Sequence, residues 1–221
     1  MPNLSTLVPN LLFELELKCF SSKVKLLSVE CWGKLPKREG MEMSSRVILL
    51  NGPPGVGKTT VGTALASLVN NGACIHGDHL KSFIVSRVEG KVEGGLGYKN
   101  GAAVATNFIA AGYELVVFEY VFEKPTHVAR FLEFFQPKVP VHLFTLWAPL
   151  QVIIEREQAR QNRSLLNNRV VECYQTIERN LDQLGYCIDS TGIQPIDIAE
   201  LIYDLSKENV GMQLLMGESS N

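Results

Sequence analysis

The stretch Arg46-Val47-Ile48-Leu49-Leu50-Asn51-Gly52-Pro53-Pro54-Gly55-Val56-Gly57-Lys58-Thr59-Thr60 decides how this chain is read. Its first part is apolar on consecutive residues, which suits a strand covered on both faces of a parallel sheet. Its second part holds the spacing Gly-x-x-x-x-Gly-Lys-Thr, and a helical pattern runs on from Lys58. A loop of small residues between strand and helix lets successive backbone N–H groups turn inward around phosphate oxygens, and the helix start adds the positive end of its dipole. Gly52, Gly55 and Gly57 supply the conformational freedom, while Pro53 and Pro54 stiffen the loop and reduce the entropy lost on binding. In such a loop the lysine, Lys58, reaches the β- and γ-phosphates of ATP and the hydroxyl, Thr59, ligates Mg2+. The expected nucleotide cradle therefore runs from Gly52 through Val56 to Thr60. By chance the spacing arises in roughly one chain of this length in a hundred, taking glycine at ~7% of residues. The strand before it and the helix after it make an ordinary glycine turn a poor account.

Downstream of this loop, short apolar runs alternate with longer helical stretches, the pattern of βα units that build a parallel sheet. Five strands are expected, near 46–51, 73–76, 114–120, 140–147 and 186–189. Helices are expected near 58–70, 96–111, 125–135, 149–163, 166–184 and 195–207, the last with Pro195 in its first turn. Gly112 and Gly185 each follow a helical run and precede a strand, as left-handed caps would. The fold class is α/β, a three-layer P-loop NTPase sandwich with helices on both faces of the sheet.

The 221 residues are 46% apolar and contain no low-complexity tract, which fits one domain with a sizeable core. That domain is expected over 45–210, with a poorly structured extension over 1–44 and a flexible tail over 211–221. Met41 and Met43 stand just before the first strand, so synthesis can begin at Met43 and leave the preceding residues an artefact of start assignment. Mass spectrometry of the native N-terminus tests this. A net charge of −2 gives no basic field for a long polyanion, which disfavours nucleic acid as a partner. The five cysteines form no C-x-x-C pair and no metal-ligand spacing, so reduced thiols in a cytoplasmic setting are expected. No apolar run approaches the ~20 residues that span a bilayer, so no membrane partner is expected.

Beyond the loop, Asp78 follows the second strand in Ile75-His76-Gly77-Asp78-His79. That is the rim where parallel sheets bind ligands, and a carboxylate there can take a proton from an acceptor hydroxyl. The competing reading is a helix cap. His76 and His79 are read as structural or substrate-lining, because no third metal-ligating partner accompanies them. Glu119 ends the third strand in Val117-Phe118-Glu119-Tyr120, where a carboxylate can orient water on magnesium or contact substrate; a surface position is the alternative. Lys81, Arg87, Lys99 and Asn100 border the acceptor side as weaker candidates.

After the fourth strand, Arg156, Arg160 and Arg163 fall at i, i+4 and i+7, so one helix face would carry all three. A guanidinium aimed at the β–γ bridge neutralises charge growing in the transition state, and a second can stack on adenine. A solvated face paired with Glu155 and Glu157 is the alternative. Asp189-Ser190-Thr191-Gly192 is a polar loop in which Ser190 and Thr191 can rim the nucleobase.

With these residues in this order, the stretch 46–207 resembles small P-loop kinases of the shikimate kinase, gluconate kinase and chloramphenicol phosphotransferase type, themselves AAA ATPase-like P-loop NTPases. The resemblance implies a five-stranded parallel sheet of order 2-3-1-4-5, ATP with Mg2+, and phosphoryl transfer to a small hydroxyl compound. It implies that Asp78 engages the acceptor hydroxyl and that Arg156 and Arg160 contact phosphates as a lid pair. The family more often has Asp where this chain has Glu119. No acceptor signature for shikimate, gluconate, chloramphenicol or adenylylsulfate is matched.

The function expected from all this is an ATP-dependent small-molecule kinase, a monomer or homodimer, with Lys58, Asp78, Arg156 and Arg160 catalytic and with Thr59 and Glu119 on the metal. The alternatives are an NTP-hydrolysing switch without an acceptor and a polynucleotide-end kinase; the near-neutral charge counts against the latter.

Overall fold

The computed structural model describes residues 45–86, 94–159 and 168–213. Five strands, β1 (Arg46–Asn51), β2 (Gly72–His76), β3 (Leu115–Glu119), β4 (Val141–Trp147) and β5 (Tyr186–Asp189), form a parallel sheet of order β2-β3-β1-β4-β5. This is the expected order. A sixth strand, β6 (Met212–Gln213), pairs antiparallel with the start of β4, so described structure runs three residues past 210.

The helices are α1 (Lys58–Ala66), α2 (Gly77–Ser82), α3 (Leu96–Ala110), α4 (Pro125–Phe134), α5 (Leu150–Gln158), α6 (Asn168–Glu178) and α7 (Pro195–Lys207). α2 is not among the helices expected from periodicity, because six residues are too few to establish a helical period; a helix following Asp78 entered only as the capping alternative. Gly112 and Gly185 take positive φ, 84° and 77°, as their places before strands required.

Every residue of β1 and β3 is buried, the consequence of helices on both faces. Side chains alternate along β1: Ile48 and Leu50 join Val61 and Leu65 of α1 and Ile198 and Ile202 of α7. Val47 and Leu49 face the other way, toward Ala102 and Ala105 of α3, Val128 and Phe131 of α4, and Ile177 of α6. Each fully buried Leu, Ile or Phe contributes about 1.5–3 kcal/mol relative to exposure, which makes these two layers the main support of the sheet. Among the described residues, no helix is long and apolar enough to cross a membrane.

The C-terminal ends of all five parallel strands lie along one edge of the sheet, and the glycine loop leaves β1 at that edge. Pairing brings His76 of β2 directly opposite Glu119 of β3, and Leu50 opposite Glu119 from the other side. The sheet order thus sets the loop beside the Glu119 end of β3, with the His76 end of β2 one strand further out.

Candidate active site

Gly52 leaves β1 with φ 142°, and a Cβ there would lie 2.5 Å from the Leu146 carbonyl oxygen of β4. The loop is therefore pressed against the neighbouring strand and only glycine fits. Gly57, at φ 107°, is different: nothing lies within 4 Å of where its Cβ would stand. That open side is where successive N–H groups can admit a phosphate without a side chain in the way.

Lys58 is buried at 8% exposure, and its Nζ donates to the carbonyl oxygens of Gly52, at 2.9 Å, and Pro53, at 3.1 Å. An ammonium held over its own loop places a positive charge at the start of α1, where the helix dipole has the same sign. The Thr59 hydroxyl donates to Oε1 of Glu119 at 3.2 Å, and Nδ1 of His76 stands 3.1 Å from the same oxygen. Glu119 is 6% exposed, so the strand-end carboxylate is not a surface group. Hydroxyl and carboxylate oxygens side by side at a phosphate loop are the hard donors that Mg2+ takes, and the residues present fit that ion. Among the described residues, no cluster of three or more His, Cys, Asp or Glu forms a metal site by itself.

Asp78 lies in the first turn of α2, exposed, 3.4 Å from Nζ of Lys81. Burial opposes the Lys81 ammonium, but the Tyr120 hydroxyl and the Asp78 carboxylate outweigh it and raise the pKa; Nζ also stands 4.6 Å over the Tyr120 ring. Lys99, by contrast, lies over the Phe134 ring of α4 at 4.9 Å and does not join Lys81 and Asp78. Arg87 is outside the described residues.

Arg156 of α5 does not pair with Glu155, which accepts from Gln151 instead. Its guanidinium donates to the Val56 carbonyl at 3.3 Å, to Oγ of Ser190 at 3.3 Å and to the Ser190 carbonyl at 3.0 Å. One arginine thus joins the glycine loop to the loop after β5. Ser190 is buried and donates to the Trp147 carbonyl at 3.0 Å, whereas Thr191 is exposed, its N–H donating to Oδ1 of Asp189 in an Asx turn. Arg160 and Arg163 lie outside the described residues, so the three-arginine face is represented here by Arg156.

Several groups at this edge gave no sequence signal. Asn51, fully buried at the end of β1, donates to Oγ1 of Thr145 at 3.0 Å and accepts from the N–H of Phe122 at 2.8 Å; Thr145 in turn donates to the Leu184 carbonyl at 2.6 Å. This chain of bonds fixes the segment that follows β3. In that segment Glu123 pairs with Arg169 of α6, and its N–H donates to Nδ1 of His127 at 3.2 Å. Burial lowers the pKa of His127, which favours the neutral ring. Tyr98 stacks on His127 with centroids 5.0 Å apart, meets Tyr120 edge-on at 5.1 Å, and donates its hydroxyl to the Val121 carbonyl at 2.9 Å. The Cys173 thiol is pushed up to about 12 by burial and then by Glu123, with Lys58 and Arg169 pulling the other way. The short spacing Glu119-x-x-x-Glu123 at a strand end was the one available hint.

A family model described as an AAA domain matches residues 47–176, more than half of the chain. No curated protein matches. Among solved structures, a tunicamycin resistance protein from Deinococcus radiodurans is 19% identical, with a TM-score of 0.57 over 77% of this chain and 99% of its own. A sugar kinase from a Janibacter species is 18% identical, with a TM-score of 0.56 over 76% of this chain and 95% of its own. A shikimate kinase from Acinetobacter baumannii, in complex with shikimate, is 22% identical over 82% and 98% of the two chains; at a TM-score of 0.49 the superposition is too loose to argue from. At these identities the likeness is one of fold. The chain belongs to the AAA domain family and folds as the small P-loop kinases do.

Proposed function

We propose that this protein is an ATP-dependent phosphotransferase that moves the γ-phosphoryl group to a hydroxyl of a small molecule. The observation that carries the reading is the buried Lys58 at the mouth of the glycine loop, with the Thr59–Glu119 pair beside it and Asp78 exposed at the next strand end. A loop that binds phosphates and a carboxylate open to a second molecule are the two halves a transferase requires. Transfer to a hydroxyl forms a bond from its oxygen to the γ-phosphorus, breaks the bridging β–γ P–O bond, and releases one proton.

Each residue has a part in that account. Lys58 exchanges its carbonyl partners for phosphate oxygens and offsets their charge. Thr59 and Glu119 would hold Mg2+, which supplies charge neutralisation at the β- and γ-oxygens. Asp78 accepts the proton of the acceptor hydroxyl, and Lys81 orients it. Arg156 stands against the loop at Val56, where its charge reaches the phosphates as negative charge moves toward the leaving group. Arg160 is assigned to the same pair on sequence grounds, and Ser190 and Thr191 to the rim of the base. Free thiols at Cys74, Cys173 and Cys187 support a reducing, cytoplasmic setting. ATP turnover with and without a panel of hydroxyl compounds tests the reading: transfer predicts an organic phosphate product and its dependence on the acceptor.

A further inference from the structure

Resting on the phosphotransferase reading, we propose that Tyr120 is the positioning residue for the acceptor carboxylate: its buried ring is the seat that holds α2, and with it Asp78, at a fixed place relative to Glu119. Tyr120 directly follows Glu119 at the end of β3 and is 8% exposed. Its N–H donates to the Leu50 carbonyl at 3.1 Å, so its main chain is tied to β1 two residues before the glycine loop. Phe118 stacks on the ring with centroids 5.6 Å apart and Tyr98 meets it edge-on at 5.1 Å, which leaves the ring little room to slide.

α2 has six residues, too few to stand as a helix by itself, so its place is set by what it packs on. Gly77, its first residue, is the one that is buried. A Cβ on Gly77 would stand 2.1 Å from Cδ2 of Tyr120, and one on Gly97 of α3 would stand 2.5 Å from the Tyr120 hydroxyl oxygen. Neither glycine takes a positive φ, so it is the ring, and not the backbone, that excludes a side chain at both. Leu80 packs against the layer that contains Tyr120, and Nζ of Lys81 stands 4.6 Å over the ring while lying 3.4 Å from Oδ1 of Asp78. Burial opposes the Lys81 ammonium, whereas the Tyr120 hydroxyl and then Asp78 favour it and raise its pKa, in keeping with both groups bordering Nζ. Asp78 is one peptide from Gly77, so any shift of the helix on the ring passes directly to the carboxylate.

The test uses the full chain labelled with 13Cε-lysine, the Lys81 signal being assigned by its loss in Lys81→Arg. In the wild type the ring is expected to shield the Lys81 ε-protons. Gly77→Ala keeps the ring but lifts α2 from it, and is expected to move that signal toward its ordinary position. Transfer from ATP and Mg2+ is measured with a panel of hexoses, sugar acids, aminoglycosides and nucleosides. Gly77→Ala and Tyr120→Leu are each expected to lower kcat/KM for an acceptor by between about ten- and 100-fold, the effect of a reacting group misplaced by about 1 Å. The loss should fall on kcat, because a misplaced proton acceptor slows transfer rather than binding. Tyr120→Phe, which keeps the seat, should retain most of the activity that Tyr120→Leu loses. Thermal midpoints and calorimetric ADP binding, both expected to persist, establish that the variants fold with the phosphate loop intact; should Tyr120→Leu not fold, Gly77→Ala carries the test. The proposal is overturned if the Lys81 signal does not move in Gly77→Ala, if both variants transfer at the wild-type rate, or if Tyr120→Phe loses as much as Tyr120→Leu. Failure of the wild type to phosphorylate any member of the panel, with the Lys81 signal displaced in Gly77→Ala, removes the kinase reading alone; undiminished transfer in both variants removes the positioning role alone.

Discussion

Nδ1 of His76 lies 3.1 Å from Oε1 of Glu119, and the two residues are direct register partners on β2 and β3. The same oxygen accepts from Thr59 of the phosphate loop. The carboxylate is thus oriented from one side by the loop and from the other by an imidazole. Groups that orient a metal-holding carboxylate commonly change metal affinity by about 10–100-fold when removed. His76→Ala is expected to weaken Mn2+ binding to the nucleotide complex by about that factor, and Glu119→Gln by at least as much. Electron paramagnetic resonance titration of Mn2+ checks this. Unchanged affinity in both variants contradicts the assignment.

The bond network of Asn51 makes a stability prediction. Asn51→Ala leaves the buried N–H of Phe122 and the hydroxyl of Thr145 without that partner, which costs about 1–3 kcal/mol. Denaturant unfolding measures the loss. Because the same bonds fix the start of the Glu123 segment, any acceptor-dependent turnover should fall with it.

Two glycines of the loop should respond differently to alanine. At Gly52 the new Cβ meets the Leu146 carbonyl at 2.5 Å as well as a positive φ, so Gly52→Ala is expected to lower the thermal midpoint clearly. At Gly57 only the backbone conformation opposes the change, at about 1–3 kcal/mol, and the methyl group points into open space. Gly57→Ala should therefore remain folded while losing nucleotide affinity. Melting curves with and without ATP distinguish the two.

His142 is fully buried on β4, with Nδ1 3.0 Å from the Val210 carbonyl and no partner for Nε2. Burial lowers its pKa, so the unfolded chain binds this proton more readily than the folded one. Stability should be unaffected by this group above the unfolded value near 6.5, and should fall as pH drops from there to the lower folded value. The slope is at most about 1.4 kcal/mol per pH unit from this residue. Denaturant midpoints at pH 7.5 and 5.5 measure it, and His142→Leu should remove its part.

Much of the fold was legible because a parallel sheet writes itself as consecutive apolar residues. Val47 to Leu50 and Leu115 to Phe118 are buried on both faces and read so directly. The glycine spacing then placed the phosphate loop. α2 escaped notice because it is shorter than two turns, and β6 because two residues carry no pattern. The cluster beyond the end of β3 was harder still. Tyr98, Glu123, His127 and Arg169 come from four segments and meet only through the crossing of α3, α4 and α6 over the sheet edge. A sequence states residue types along a line, and contacts between distant segments are not periodic in it. Glu123 in particular reads as one more charged residue before a helix until Arg169 is seen beside it.

The central claim is transfer to an acceptor, and labelled γ-phosphate tests it most directly. Protein incubated with γ-labelled ATP, Mg2+ and a panel of hydroxyl compounds should place label in an organic phosphate. Lys58→Ala should abolish that product, and Asp78→Asn should retain ATP binding but remove transfer. Label recovered entirely as inorganic phosphate, at a rate indifferent to every acceptor, would contradict the account.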